Sequence, residues 1–234
     1  SSANLVGQGS KGRNPVTAVN VDIVSDVMCP WCYIGKKRLE EALGNLPDEL
    51  EVDIRWRPYQ LDSTLPKEGK DRKQYLSEKF GGSDGAKRAY AAIEEAGKNE
   101  NIPFDFNAIA VSPNTLDAHR VIRWAASEPP GVQDRLVEIL FRVFFVEGKN
   151  IGDNTILLDA AEKAGMDRAI TESLLLGDAD RAEVEQEIEV ARNMGVTGVP
   201  CFILDNKYAV MGAQPADVLA NAIRDVAKEK AAAL

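Results

Sequence analysis

Two cysteines three residues apart, Cys29 and Cys32 in the stretch VMCPWCYIG (27–35), are the residues of this chain best suited to chemistry. A thiol pair at this spacing can close reversibly into a disulfide, supply half of a zinc site, or pack unreactively in a core. The local frame separates these readings. A cysteine at a strand-to-helix junction lies against unpaired backbone N–H groups at the positive end of the helix dipole, and both favour thiolate over thiol. Thiolate is the attacking species in disulfide exchange, and such positions lower a cysteine pKa from about 8.5 to between about 3.5 and 7.5. Pro30 suits a first helical turn, having no N–H to waste and a φ already helical. Cys32 falls on the same helical side as Cys29, within disulfide reach, as a resolving thiol would. Trp31 can shield the pair and offer a partner an apolar contact. Structural zinc needs four N/S ligands, and the chain offers only Cys29, Cys32, Cys201 and its one histidine, His119, with no second CxxC or paired-histidine spacing.

A second informative stretch is GVTGVPCFIL (195–204), in which Pro200 directly precedes a predicted strand. Proline inside a central strand removes a ladder donor, so it marks either an edge or a cis turn at strand entry. In the cis case, the Val199 N–H and C=O would be free to pair with an extended substrate beside Cys29.

These residues need elements to hold them. Val19, Val21 and Ile23 alternate with Asn20 and Asp22, which predicts a half-buried strand over 19–24. Leu39, Ala42, Leu43 and Leu46 form one helical face, closed by Gly44, Asn45 and Pro47, and Leu50, Val52, Ile54 and Trp56 alternate as a second strand. Strand, helix, strand suggests a parallel crossover unit. From about 68 to 195 the pattern turns helical, with helices predicted at 69–80, 84–99, 114–127, 132–147, 154–164, 168–175 and 179–194. CFIL (201–204) and YAVM (208–211) around the turn DNK read as an antiparallel hairpin, followed by a helix carrying Leu219, Ala222, Ile223 and Val226. The expected organisation is a flexible tail (1–18), a first sheet-forming part (19–62), an inserted helical domain (63–182) and a second sheet-forming part (183–234).

Composition narrows the function classes. With 234 residues and 44% hydrophobic content the chain can build a core without disulfides, and three cysteines are the sparse usage of a reducing compartment. The net charge of −9 repels a phosphate backbone or an anionic membrane surface, and no run of about eighteen apolar residues could span a bilayer. Residues 1–18 lack the apolar core of a secretory signal, so a cytoplasmic location is expected for the chain as given.

A βαβ unit with CxxC at its first helix, a helical insertion, and GVP before a ββα end together resemble the DsbA family of thiol–disulfide oxidoreductases, which share a thioredoxin fold. The blocks DVMCPWCYIGKKRLE (26–40), WRPYQL (56–61), PNTLDAHR (113–120) and GVTGVPCFILDNKYAVMGAQ (195–214) are similar, in that order, to the FrnE-like branch of the family. The resemblance implies an α/β thioredoxin-like mixed sheet with a large inserted all-helical domain. It implies Cys29 as nucleophile, Cys32 as resolving thiol, and a cis Val199–Pro200 peptide facing them. Substrate contacts are expected from Pro30, Trp31, Val199 and Pro200, with Asn114 and His119 as further candidates facing the cleft, although a satisfied structural histidine is the default for His119. Cys201 departs from the aromatic or aliphatic residue expected there and reads as a buried, inert thiol. Asp26 reads as a solvated turn carboxylate. No bound cofactor is implied, glutathione being a reductant or co-substrate at most. The partners implied are protein or small-molecule disulfides and dithiols. The same fold with serine at the nucleophile position resembles glutathione-dependent isomerases of the 2-hydroxychromene-2-carboxylate type and kappa-class glutathione transferases, which makes such an isomerase the rival reading. A pair able to close on itself argues for exchange instead.

Overall fold

The computed structural model describes residues 16–233. Strand β1 (Thr17–Ser25) is central: it pairs in parallel with β2 (Leu50–Pro58) and antiparallel with β5 (Cys201–Leu204), which in turn pairs with β6 (Tyr208–Met211). The sheet order is β2-β1-β5-β6. Helix α1 (Pro30–Gly44) is the crossover between the two parallel strands, and α9 (Ala216–Ala232) packs against both α1 and β1. β1 begins two residues before the predicted strand, because Thr17 and Ala18 continue the ladder opposite Leu50 and Glu51. That shortens the expected tail, whose residues 1–15 lie outside the described residues.

The two faces of this sheet are chemically different. Ile23 sits opposite Phe202 and Val24 opposite Cys201, and adjacent residues on a strand point to opposite faces. Ile23 and Phe202 join the large core that also holds Cys29 and Cys32, whereas Val24 and Cys201 join a small cluster with Tyr59 and Val196.

The segment between β2 and β5 carries helices α2 (Arg72–Phe80), α3 (Ser83–Asn99), α4 (Leu116–Ala125), α5 (Val132–Phe145), α6 (Asn154–Ala164), α7 (Arg168–Leu176) and α8 (Arg181–Asn193). Three start where an aspartate caps them: Asp71, Asp153 and Asp167 accept from the backbone N–H of Gln74, Thr155 and Ile170. One departure from the all-helical expectation is a short antiparallel ladder, β3 (Lys70–Asp71) with β4 (Val111–Ser112). Two residues per strand are too few to show a period of two, so the sequence carries no signal for it. Arg120 is fully buried and donates to the carbonyls of Leu174 (3.0 Å), Gly177 (2.8 Å) and Ala179 (2.8 Å), satisfying orphan acceptors at the end of α7. Asp117 balances its charge at 3.0 Å. Among the described residues no helix is long and apolar enough to cross a membrane.

The helical block is fastened to the sheet domain next to the CPWC turn. Tyr33, the residue after Cys32, stacks on Phe141 of α5 with ring centroids 5.0 Å apart and meets Phe104 edge-on at 5.8 Å. Burial, followed by the nearby Glu138 carboxylate, pushes the Tyr33 phenol up to about 12. Lys36, 3% exposed, reaches Glu138 at 2.9 Å and Asp134 at 3.4 Å across the same junction. Burial alone would strip its charge, but the carboxylates of Asp134, Glu40 and Glu138 outweigh that and hold its ammonium above the ordinary lysine range.

Candidate active site

Cys29 is the N-cap of α1 and has an extended backbone, as a strand-to-helix turn requires. Its N–H donates to Asp26 O at 3.0 Å and its carbonyl accepts from Cys32 N–H at 3.1 Å, so the turn is fixed by its own backbone. No side-chain oxygen caps this helix, and Pro30 occupies its first turn. As the N-cap residue, Cys29 thus stands at the positive end of the helix dipole, as the motif's position predicts.

The Val199–Pro200 peptide is cis. Cys29 Sγ donates to Val199 O at 3.8 Å, a contact between residues 170 apart in the chain. Gly35 makes this approach possible: a Cβ at that position would lie 2.9 Å from Pro200 Cγ and 3.4 Å from the ring of Phe202. Helix α1 and the proline turn are thus in contact one helical turn beyond Cys32, where any larger residue would separate them.

Cys32 is 1% exposed, beneath Cys29. Burial raises its thiol pKa well above the ordinary value, and the hydrogen bond and charge of Cys29 raise it further, against smaller opposing contributions from Ser25 and the Asp26 backbone. Cys201 is also raised, by burial alone. All three thiols are free.

Asp26 differs from its sequence reading. It is 0% exposed, and its carboxylate accepts from Leu61 N–H at 2.9 Å and meets His119 Nε2 at 3.1 Å. The difference arises because β2 and α4 close over the turn, which local composition cannot reveal. His119 is satisfied by this contact, and it borders a separate polar cavity with Arg57, Arg123 and Glu187. Asn114 acts locally: it donates to Leu65 O at 2.7 Å and accepts from Leu116 N–H at 2.9 Å, while Thr115 takes the cap position of α4.

A cavity of about 350 Å³ opens on Cys29. Of the sequence-predicted site residues, Cys29, Pro30, Trp31 and Val199 line it; Asn114 and His119 do not, and Pro200 is buried beside it against Gly35. Its far wall comes from the helical block, with Arg72, Tyr75, Lys79, Tyr90 and Phe145 among its residues. Sequence reading missed that wall. Phe145 falls within the helix predicted at 132–147, but nothing in the order of residues connects α2 and α3 to Cys29. Among the described residues, no group of three or more His, Cys, Asp or Glu side chains is arranged to hold a metal ion.

A four-stranded mixed sheet with a dithiol at the first strand-to-helix turn and a cis-proline loop beside it defines a thioredoxin-type protein. Residues 20–224 match the DSBA-like thioredoxin domain, and the chain belongs to that family. The uncharacterised protein YwbO of Bacillus subtilis is 28% identical over 220 residues, spanning 91% of this chain and 99% of that protein. The probable DsbA oxidoreductase of Streptomyces coelicolor has the same fold with a TM-score of 0.79 at 30% identity, covering 89% of each chain. The cytosolic disulfide reductase DsbM of Pseudomonas aeruginosa, solved with glutathione, shares the fold at a TM-score of 0.59 and 16% identity over 92% of this chain and all of that one.

Proposed function

We propose that the protein is a dithiol–disulfide oxidoreductase in which Cys29 attacks and Cys32 resolves. The observation that carries this reading is the asymmetry of the pair. Cys29 borders the cavity at a helix N-terminus, while Cys32 is sealed behind it, near enough for Cys29 to raise its pKa. In the reducing direction the Cys29 thiolate attacks one sulfur of a substrate disulfide, forming a mixed disulfide and expelling a thiolate. Cys32 then loses its proton and attacks Cys29 Sγ, expelling the second thiolate and leaving the Cys29–Cys32 disulfide. Two electrons pass to the substrate, whose two sulfurs take up the two protons of the dithiol. Burial and the neighbouring Cys29 both favour the protonated Cys32 thiol, and the Cys29 charge is gone once that sulfur is in the mixed disulfide.

The backbone of Val199 is the second half of the site, offering a carbonyl beside the attacking sulfur to which an extended substrate can pair. Glutathione fits as reductant of the protein disulfide, in keeping with the thiol bound by DsbM, and a reducing compartment such as the cytoplasm suits the sparse cysteine usage.

The test is an equilibrium titration in glutathione redox buffers, with thiols trapped by alkylation and counted by mass. Cys29 and Cys32 closing together in one two-electron step, with Cys201 unchanged, is the expected result, and the midpoint assigns the direction. A Cys29 that never pairs with Cys32 would overturn the reading in favour of a glutathione-dependent isomerase.

A further inference from the structure

The cavity at Cys29 has features that exchange with an unfolded polypeptide would not need. Its volume, about 350 Å³, lies in the range of small-ligand sites. Its wall is aromatic, with Tyr75, Tyr90 and Phe145 contributed by three different helices of the inserted block. Tyr90 packs edge-on against Phe106 at 4.7 Å, which fixes its ring in the cavity wall.

Two cations border this apolar space. Arg72 lies 5.1 Å from the centre of the Tyr90 ring and 5.5 Å from that of Phe106, and it donates to Phe106 O at 3.1 Å. A guanidinium held in this way by stacking and one carbonyl keeps other N–H groups in hand. Lys79 sits 5.7 Å from the centre of the Phe80 ring. Among the described residues, neither Arg72 nor Lys79 is within ion-pair distance of a carboxylate, although the chain carries 37 acidic residues against 28 basic ones. Unpaired positive charge beside an aromatic cavity, on a protein of net charge −9, selects an anion with a flat apolar body.

We propose that the substrate of this site is a low-molecular-weight aromatic disulfide bearing a carboxylate, its ring on the Tyr90 wall, its acid group at Arg72 and Lys79, and its sulfur at Cys29. This inference rests on the exchange reading above and adds the substrate class and the binding residues. The dithiol reduces the bound disulfide: Cys29 takes one aryl thiolate into a mixed disulfide and releases the other, and Cys32 then releases the first. The protein loses two electrons and two protons, and two aryl thiols are formed.

The test uses reduced full-length protein and three disulfides: 5,5′-dithiobis(2-nitrobenzoate), which is aromatic and dianionic; 4,4′-dithiodipyridine, aromatic and neutral; and hydroxyethyl disulfide, aliphatic and neutral. Each rate is divided by that of 2-mercaptoethanol with the same disulfide, which removes intrinsic reactivity. The expected acid-to-neutral aromatic ratio is about tenfold or more at low salt, the size of one charge-assisted contact, and Arg72→Gln lowers it by about the same factor. Net charge alone would drive that ratio below one, so a wild-type ratio at or below one overturns the proposal. Because Arg72 also supports Phe106, Ala89→Phe is the second variant: Ala89 lines the cavity, and a ring there should lower the aromatic-to-aliphatic ratio about tenfold. An unchanged ratio in that variant also sinks the cavity as the binding site. Failure to release any thiol from all three disulfides would instead sink the exchange reading.

Discussion

Cys32 and Cys201 are both 1% exposed, both free and both raised in pKa by burial, yet they occupy different chemical regions. Cys32 lies against Cys29, whose sulfur raises its pKa and opens on the cavity. Cys201 faces the other side of the sheet, against Val24, Tyr59 and Val196. Cys201 follows the proline turn directly, one residue from the peptide that touches Cys29, and the pleat of β5 still carries its sulfur away from the dithiol. Burial therefore does not distinguish the two thiols. Their neighbours do, and the sheet face chooses the neighbour.

The sharpest way to break this contrast is to remove the sulfurs singly. Cys29→Ser is expected to lower the rate of thiol–disulfide exchange by at least about a thousandfold, the scale of losing a covalent nucleophile. Cys32→Ser should keep the first step and stop at a mixed disulfide, seen as a stable mass adduct. Should Cys201→Ala reproduce either behaviour, the two regions would not be separate.

Next in size is the approach of α1 to the proline turn. Gly35→Ala places a methyl group 2.9 Å from Pro200 Cγ. It is expected to cost about 1–3 kcal/mol in urea unfolding, as overpacking does. It should also slow exchange about tenfold by displacing Val199 from Cys29. Gly44→Ala at the far end of the same helix meets no atom within 4 Å and serves as the control, with exchange unaltered.

Accessibility gives a smaller but cleaner contrast. In the native reduced protein at pH 7, iodoacetamide should modify Cys29 alone, and Cys32 and Cys201 only after denaturation, as peptide mass analysis would reveal. The pH dependence has a definite sign. Unfolded thiols ionise near about 8.5, whereas Cys32 and Cys201 hold their protons to higher pH when folded. Above that pH the native state therefore binds more protons than the unfolded state, and stability falls as pH rises. Cys201→Ala should reduce the alkaline loss measured by denaturant titration at pH 7 and pH 9.5. The smallest effect is that variant's own cost at neutral pH, about 1 kcal/mol for a shallow cavity, with the Cys29–Cys32 midpoint unmoved.

Much of this was legible in the order of residues. The hairpin 201–204 and 208–211 and the helix 154–164 fall where alternation, turn chemistry and apolar stripes predict them, because those signals are local. The CPWC turn, its proline and the position of Cys29 at a helix start are local as well. Resemblance to the DsbA family supplied what locality could not, the pairing of the CPWC turn with the proline loop.

Tertiary structure alone decided the remainder. Asp26 reads as a solvated turn carboxylate and is buried against His119 and the Leu61 N–H, because β2 and α4 close over the turn. Asn114 and His119 share a block with Arg120, yet they fasten a loop and a buried carboxylate rather than line the cavity. Arg72, Tyr75, Lys79 and Tyr90 carry no mark of the site in their own helices, which are amphipathic like any surface helix. They line the cavity of Cys29 because tertiary contacts, among them the stack of Tyr33 on Phe141 and the ion pairs of Lys36, dock the helical block over the first turn of α1. Periodicity encodes which face of an element is buried, and it carries no information about which distant element will cover it.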